Sequence, residues 1–214
     1  LFIMPVKINY LNKASNKSTG NLVLFADEKF NIENLKKYIS NSEYIYVRDL
    51  LKNIDNKKKL ILYEVNSKKR IVIVSIKKNI NSSDIESLGA DFYKKVNDGK
   101  NSEYSILSDS IEVKDKNFLG YFLHGLKLKS YEFSKYKTKK KIINIKLNIL
   151  GTKNKPSFQH QLKFKSLEEG TFYARDLVSE PGNVLHPDEY AKRINLLRKD
   201  GLKINIYDEN KLKK

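Results

Sequence analysis

Short apolar runs and amphipathic stretches alternate along this chain, and their order constrains the fold more than any single residue does. Val6–Leu11 and Asn21–Ala26 are rich in branched and aromatic residues, the composition of strands. Leu60–Val65 and Arg70–Ile76 are two more apolar runs, separated by Asn66-Ser67-Lys68-Lys69, which predicts a hairpin or two neighbouring strands. Asn31–Ser40 and Ser42–Ile54 read as helices. Asn81-Ser82-Ser83-Asp84 offers capping side chains, after which Ile85, Leu88, Phe92 and Val96 recur at three- and four-residue spacing up to Asp98-Gly99. Glu103–Leu107 is a short strand, and Lys116–Lys129 a helix with Leu119, Phe122, Leu123 and Leu126 on one face. Lys141–Leu150 sets Ile143, Ile145, Leu147 and Ile149 against Asn144, Lys146 and Asn148, a half-buried strand. Strands alternating with crossover helices predict an α/β domain whose central mixed sheet is flanked by helices.

Gly151-Thr152-Lys153-Asn154-Lys155-Pro156-Ser157 interrupts this order with turn-forming residues and no periodicity. A helix over Phe158–Ser179 follows, stopped by Pro181-Gly182. His186-Pro187-Asp188-Glu189 then opens another, with proline in its first turn and acids near the positive end of its dipole. That helix runs through Tyr190, Ile194 and Leu197 to a stop at Gly201, and Lys203–Tyr207 reads as a strand. The expected division is a domain over 1–150, a linker and interdomain helix over 151–182, and an incomplete second α/β unit over 183–214. A helix barely begun at the end, and Met4 as the only methionine, make a fragment of something longer the expectation.

Composition narrows the chemistry. The 214 residues carry 42 Lys plus Arg against 25 Asp plus Glu, a formal net charge of +17. Lysine, asparagine and isoleucine are all over-used, as A- and T-rich codons would produce, so the charge is weak evidence of a polyanion partner. With no cysteine there is no disulfide, zinc-thiolate or iron–sulfur site and no thiol nucleophile, which suits a reducing, cytoplasmic setting. No apolar run approaches the roughly 18 residues of a membrane span, so no membrane partner is expected.

Catalytic constellations are missing. His124, His160 and His186 have no partner at metal-ligand spacing and read as surface or capping residues. No glycine-rich phosphate loop occurs, and the pairs Asp27-Glu28, Glu168-Glu169 and Asp188-Glu189 read as solvated or dipole-complementing charges. Between Glu132 and Glu168 there is no acid, while Lys135, Lys137, Lys139, Lys140 and Lys141 lie beside Tyr131, Phe133 and Tyr136. Lysines interleaved with aromatics suit phosphate contact and base stacking, so these five are the candidate contacts of a DNA-binding alternative.

Two segments carry a resemblance. Ala174-Arg175-Asp176-Leu177-Val178-Ser179-Glu180-Pro181-Gly182-Asn183-Val184-Leu185-His186-Pro187 closely resembles the signature joining interdomain helix to catalytic domain in the leucine (cytosol) aminopeptidase family. Arg175, Asp176, Pro181, Asn183 and Pro187 match it, as structural positions. Gly125 through Lys140, with Tyr131, Phe133, Tyr136, Lys137 and Thr138, is similar to a stretch near the end of that family's first domain, and Leu88-Gly89-Ala90 fits its small-residue helix more loosely. Gly182 and His186 depart from the family's usual residues, but at loop and cap positions.

The resemblance implies a macro-like N-terminal domain, and a downstream catalytic domain holding two divalent metals (zinc, manganese or magnesium) through Lys, Asp and Glu. It also implies peptide substrates and a hexameric homo-oligomer. No catalytic or metal-binding residue is carried over onto this chain, which alone is expected to bind no metal and to be inactive as a peptidase. A nucleotide or ADP-ribose module is a third reading, by fold analogy.

Overall fold

The computed structural model describes residues 5–11, 20–55, 58–100, 102–138 and 143–213. Two compact units divide the chain, Leu1–Glu168 and Glu169–Lys214.

The first unit is built on one six-stranded sheet. Its strands are β1 (Val6–Leu11), β2 (Asn21–Asp27), β3 (Leu60–Asn66), β4 (Lys69–Ile76), β5 (Ser102–Leu107) and β6 (Ile145–Leu150). They lie in the order β1-β6-β5-β2-β4-β3, every neighbouring pair parallel except the β3–β4 hairpin. The expected mixed sheet is present. Parallel neighbours need crossovers, and the helices that make them cover both faces.

On one face α2 (Ser82–Val96) and α3 (Phe118–Ser130) lie over Val23, Phe25, Val72, Val74, Tyr104, Ile106 and Leu147. Ile85, Leu88, Phe92 and Val96 from α2, and Leu119, Phe122, Leu123 and Leu126 from α3, are all buried there, as their periodicity predicts. Phe25, Phe92, Phe118 and Phe122 form an aromatic knot with centroids 5.5 to 6.3 Å apart. Glycine lets the helices touch backbone to backbone: a Cβ on Gly89 would stand 1.9 Å from the Phe122 carbonyl oxygen, and one on Gly125 1.9 Å from that of Glu86. On the other face α1 (Asn41–Leu51) and the segment before it bury Phe30, Leu35, Ile39, Tyr44 and Val47 against Leu22, Leu24, Ile71 and Ile73. Successive β2 residues thus serve opposite cores, the period-2 rule of a strand buried on both sides.

Cap chemistry sets the helix starts. Asn81 accepts from the Asp84 amide at the head of α2. Ser40 and Glu43 form a reciprocal capping box on α1, and Glu43 is held further by Lys69 at 2.6 Å.

Three expectations need correction. Asn31–Ser40 is not a helix but a single 3-10 turn at Glu33–Leu35 between turns; its apolar residues recur as in a helix, yet Asp27 and Asn31 cap local amides instead. Lys203–Tyr207 forms no strand, since no strand lies beside it among the described residues of its unit. The alternation over Lys141–Leu150, of which 141 and 142 lie outside the described residues, predicts a half-buried strand, but β6 lies between β1 and β5, and Leu147 through Leu150 are all buried. Asn148 is accommodated by hydrogen bonds, accepting from Asn9 at 2.9 Å and donating to Glu103.

The second unit contains the end of α4 (Phe158–Ser179), then α5 (Pro187–Leu196), a 3-10 turn at Leu197–Asp200, and α6 (Glu209–Leu212). Gly201 stops the turn with φ +87°, the left-handed conformation that glycine adopts without a Cβ penalty.

Candidate functional sites

At the carboxyl ends of the central strands, β2 and β5 part company. Their pairing ends at Val23 and Ile106, and the Phe25 amide then donates to the buried Ser110 hydroxyl at 3.1 Å. The chain leaves β2 toward β3 and β4 but leaves β5 toward β6, so this gap is a topological switch point, the usual ligand position in open α/β sheets. A crevice of about 320 Å³ opens there, lined by Asp27, Glu28, Lys29, Asn34, Lys78 and Glu112 among others. Its polar groups are turned on one another. Asp27 accepts from the amides of Lys29 and Asn31, Glu28 from the amide of Lys78, and Asn34 donates to both oxygens of Glu112. Phe30, inside this loop, is held at φ 55°.

A second cleft, also about 320 Å³, lies between β1, α3 and the first half of α4. Here two readings made from sequence fail. His124 is buried rather than at the surface, and Glu168 is buried (1% exposed) rather than solvated. The reason is tertiary: His124 Nδ1 lies 3.2 Å from Glu168 Oε1, and Lys127 Nζ donates to Glu168 Oε2 at 2.8 Å. One carboxylate is thereby shared by two α3 groups one helical turn apart. The Phe164 ring packs on His124, with centroids 5.1 Å apart, and occupies the space a side chain at Gly120 would need. Burial, with the Glu168 charge beside it, pushes the Tyr10 phenol up to about 12. Nothing in the sequence spacing announces this cluster, because 44 residues separate His124 from Glu168.

The proposed lysine site is only partly visible. Lys139, Lys140 and Lys141 lie outside the described residues. Lys137 pairs with Glu132, while Lys135 lies over the Tyr136 ring, 5.4 Å from its centroid. Phe133 and Tyr136 are themselves in contact, at 5.9 Å.

In the second unit, Arg175 and Asp176 fall in the last two turns of α4, Pro181 and Asn183 in the turn that follows, and Pro187 at the first position of α5. The Pro181 carbonyl accepts from the amides of Val184 and Leu185, closing that turn. Arg193, which sequence reasoning did not single out, fastens it. Its guanidinium donates to Glu180 at 3.0 Å and Glu189 at 2.9 Å, while its carbonyl accepts from the Tyr173 hydroxyl at 2.8 Å. The signature segment therefore builds a sharp, ion-paired corner between two helices. Among the described residues, no group of three or more His, Cys, Asp or Glu is placed to hold a metal ion.

No family model matches the chain. Individual proteins do. A probable cytosol aminopeptidase of Nitrobacter winogradskyi is 26% identical over 216 residues, covering 95% of this chain and 43% of that protein. The similarity is to cytosol aminopeptidases. Another of them, from Bradyrhizobium, is 36% identical over 94 residues, 42% of this chain and 19% of its own length. A mutant of tomato leucine aminopeptidase has the same fold, with a TM-score of 0.69 and 19% identity over 97% of this chain and 45% of that one. The bottromycin maturation enzyme BotP, solved in complex with Mn, aligns with a TM-score of 0.63 and 14% identity over 92% of this chain and 40% of its own. The chain thus spans less than half the length of the cytosol aminopeptidases it matches. The α/β fold expected from the resemblance to that family is present. No helix among the described residues is long and apolar enough to cross a membrane.

Proposed function

We propose that this chain is the N-terminal, non-catalytic portion of a leucyl aminopeptidase, a cytoplasmic hydrolase that removes N-terminal residues from peptides. In this reading 1–150 is a macro-like domain, 151–182 the linker and interdomain helix, and 183–214 the beginning of the catalytic domain. The single observation that carries it is similarity to a cytosol aminopeptidase over 95% of the chain but 43% of the relative.

The active centre would use two divalent metals (manganese, zinc or magnesium) to activate water against the scissile carbonyl and to help anchor the substrate's free amine. The described residues do not supply such a centre, so no step of the reaction is assigned to them. What the chain contributes is placement: the Arg193–Glu180–Glu189 corner fixes the direction in which α5 leaves α4. Homo-hexamer formation belongs to the same proposal.

Two measurements test it. The purified chain, incubated with leucine p-nitroanilide and Mn²⁺, is expected to show no turnover above buffer; EDTA-sensitive hydrolysis would overturn the non-catalytic assignment. The reading frame beyond Lys214 is expected to encode Lys, Asp and Glu metal-site motifs within about 150 residues, a domain length. Their absence there would overturn the aminopeptidase reading.

A further inference from the structure

An aspartate followed by glycine sets a carboxyl group next to a backbone nitrogen that no side chain shields. This chain holds that pair twice, at Asp98-Gly99 and Asp200-Gly201. Both glycines stand in the left-handed region, at φ 83° and 87°. We propose that the first pair is a modification site: the Gly99 nitrogen closes onto the Asp98 side chain to give a succinimide and then isoaspartate, and Arg70 holds that reaction in check.

The conversion balances with water alone. The Gly99 nitrogen bonds to Asp98 Cγ and gives up its proton, and one carboxyl oxygen leaves with two protons as water. Water then opens the ring at either carbonyl. Opening at the side-chain carbonyl restores aspartate; opening at the main-chain carbonyl leaves isoaspartate, with the backbone running through Cβ and Cγ.

Placement favours this chemistry at Asp98. Its Oδ1 accepts from the Lys100 amide at 3.2 Å, a bond two residues along that folds the side chain back over the main chain. Gly99 is the residue spanned by that bond, so Cγ is held beside the nitrogen that attacks it. Groups held together in this way need little further ordering to react. Among the described residues the Gly99 amide makes no backbone hydrogen bond, so the nitrogen has none to give up. Asp200 differs on both counts. The Leu202 amide, two residues on, is turned to the Leu197 carbonyl at 3.4 Å, and the Gly201 amide donates to the Arg198 carbonyl at 3.0 Å.

Charge supplies the restraint. Asp98 Oδ2 accepts from Arg70 Nη1 at 2.7 Å, and Arg70 Nη2 reaches Glu64 at 3.2 Å on the other strand of the β3–β4 hairpin. An ionised carboxylate is a poor electrophile, because oxide rather than water would have to leave. The hydrogen bond from Arg70 holds the Asp98 carboxyl below the usual carboxylate range, against a smaller opposing effect of burial and with added help from the Lys100 amide. Only 29% of the Arg70 side chain and 32% of the Asp98 side chain are exposed, so solvent screens the pair only in part.

The product has a defined place in the fold. Isoaspartate lengthens the main chain by one carbon in the turn between α2 and β5, and it shortens by one carbon the arm that reaches Arg70. The ion pair tying this turn to β4 is thereby lost.

The whole chain is incubated in mildly acidic heavy-oxygen water, folded or unfolded in guanidinium chloride, then digested with trypsin. The Val96–Lys100 and Asp200–Lys203 peptides are separated and weighed, since each ring opening inserts one heavy oxygen. In guanidinium the two pairs are expected to convert at similar rates. In folded Arg70→Gln, Asp98 is expected to convert at least about fivefold faster than in the folded wild type, the loss of one charge-assisted hydrogen bond. There it is also expected to outpace Asp200 in the same molecule, and to outpace itself in guanidinium, because the placement exists only in the folded chain. That last comparison separates release of Asp98 from simple loosening of the variant. Arg70→Lys, which keeps the positive charge, is expected to stay well below the glutamine variant.

The proposal fails if Asp98 converts no faster in folded Arg70→Gln than in the folded wild type or in guanidinium, if Arg70→Lys matches Arg70→Gln, or if the product carries no heavy oxygen.

Discussion

Gly89→Ala is the sharpest perturbation of the core. A methyl group added at this position would lie 1.9 Å from the Phe122 oxygen, 2.8 Å from its carbonyl carbon and 3.1 Å from the Leu126 nitrogen. Carbon–oxygen contacts between helices settle near about 3.3 Å, so α2 and α3 must separate by roughly 1.4 Å. All three obstructing atoms are backbone, and no rotamer change relieves them. Separation loosens the Phe92–Phe122 contact and the Leu88 and Leu126 packing around it. Overpacking of this kind costs about 1–3 kcal/mol, against a gain of about 1 kcal/mol from alanine's better helix propensity. Since the obstruction is rigid, the upper part of that range applies, and a net loss of about 2 kcal/mol is expected.

The assay is urea unfolding followed by helical circular dichroism, with Gly170→Ala as the internal control. Gly170 lies in α4, where an added methyl group would meet nothing within 4 Å, so the same substitution is expected to stabilise by up to about 1 kcal/mol. Both variants change one hydrogen to one methyl in a helix; only the surroundings differ. If Gly89→Ala were neutral, or stabilising like its control, the backbone contact between α2 and α3 would be refuted.

Other outcomes follow from the ion pairs and buried phenols. Glu168→Ala removes the shared partner of His124 and Lys127 and is expected to cost roughly 2–3 kcal/mol of the first unit's stability, measured by denaturant midpoint. Arg193→Ala is expected to speed amide exchange at the start of α5 at least fivefold, because it removes the bonds to Glu180 and Glu189. Burial raises the Glu43 carboxyl, but the hydrogen bonds from Lys69 and Ser40 outweigh it and hold the pKa below 4.5. A carboxylate depressed in the folded state stabilises fully above its unfolded value and loses that contribution as pH falls through the folded one. Stability is therefore expected to decline below about pH 4.5, and less steeply in Glu43→Gln, as acid titration of the unfolding midpoint will show. Tyr63, pushed up to about 12 by burial with a smaller effect from Tyr46, stabilises most below pH 10 and is lost as pH rises through 12. Tyr63→Phe is expected to flatten the alkaline limb.

The sequence by itself determined the elements that bury a continuous stripe or a whole run. The Ile85–Val96 and Leu119–Leu126 faces, the Asn81 cap before the first of them and the apolar β2 and β4 runs all announce their structure locally, because period and cap chemistry act over one or two helical turns. The turn at Pro181 and the αL stop at Gly201 belong with them, since proline and glycine act through their own dihedrals.

Tertiary structure decided what local chemistry leaves open. Asn148 sits on what reads as the solvent face of β6, and only placement between two parallel strands buries it beside Asn9 and Glu103. Phe30, Ile32, Leu35 and Ile39 are spaced like a helix, but their burial is met by a single 3-10 turn between turns, with Asp27 and Asn31 accepting from local amides. The His124–Lys127–Glu168 cluster is the clearest case. Glu168 lies 41 and 44 positions from its two partners, and neither periodicity nor spacing relates it to them. A carboxylate becomes a buried partner instead of a solvated charge only when packing brings two nitrogen donors to it, and that is a property of the folded chain alone.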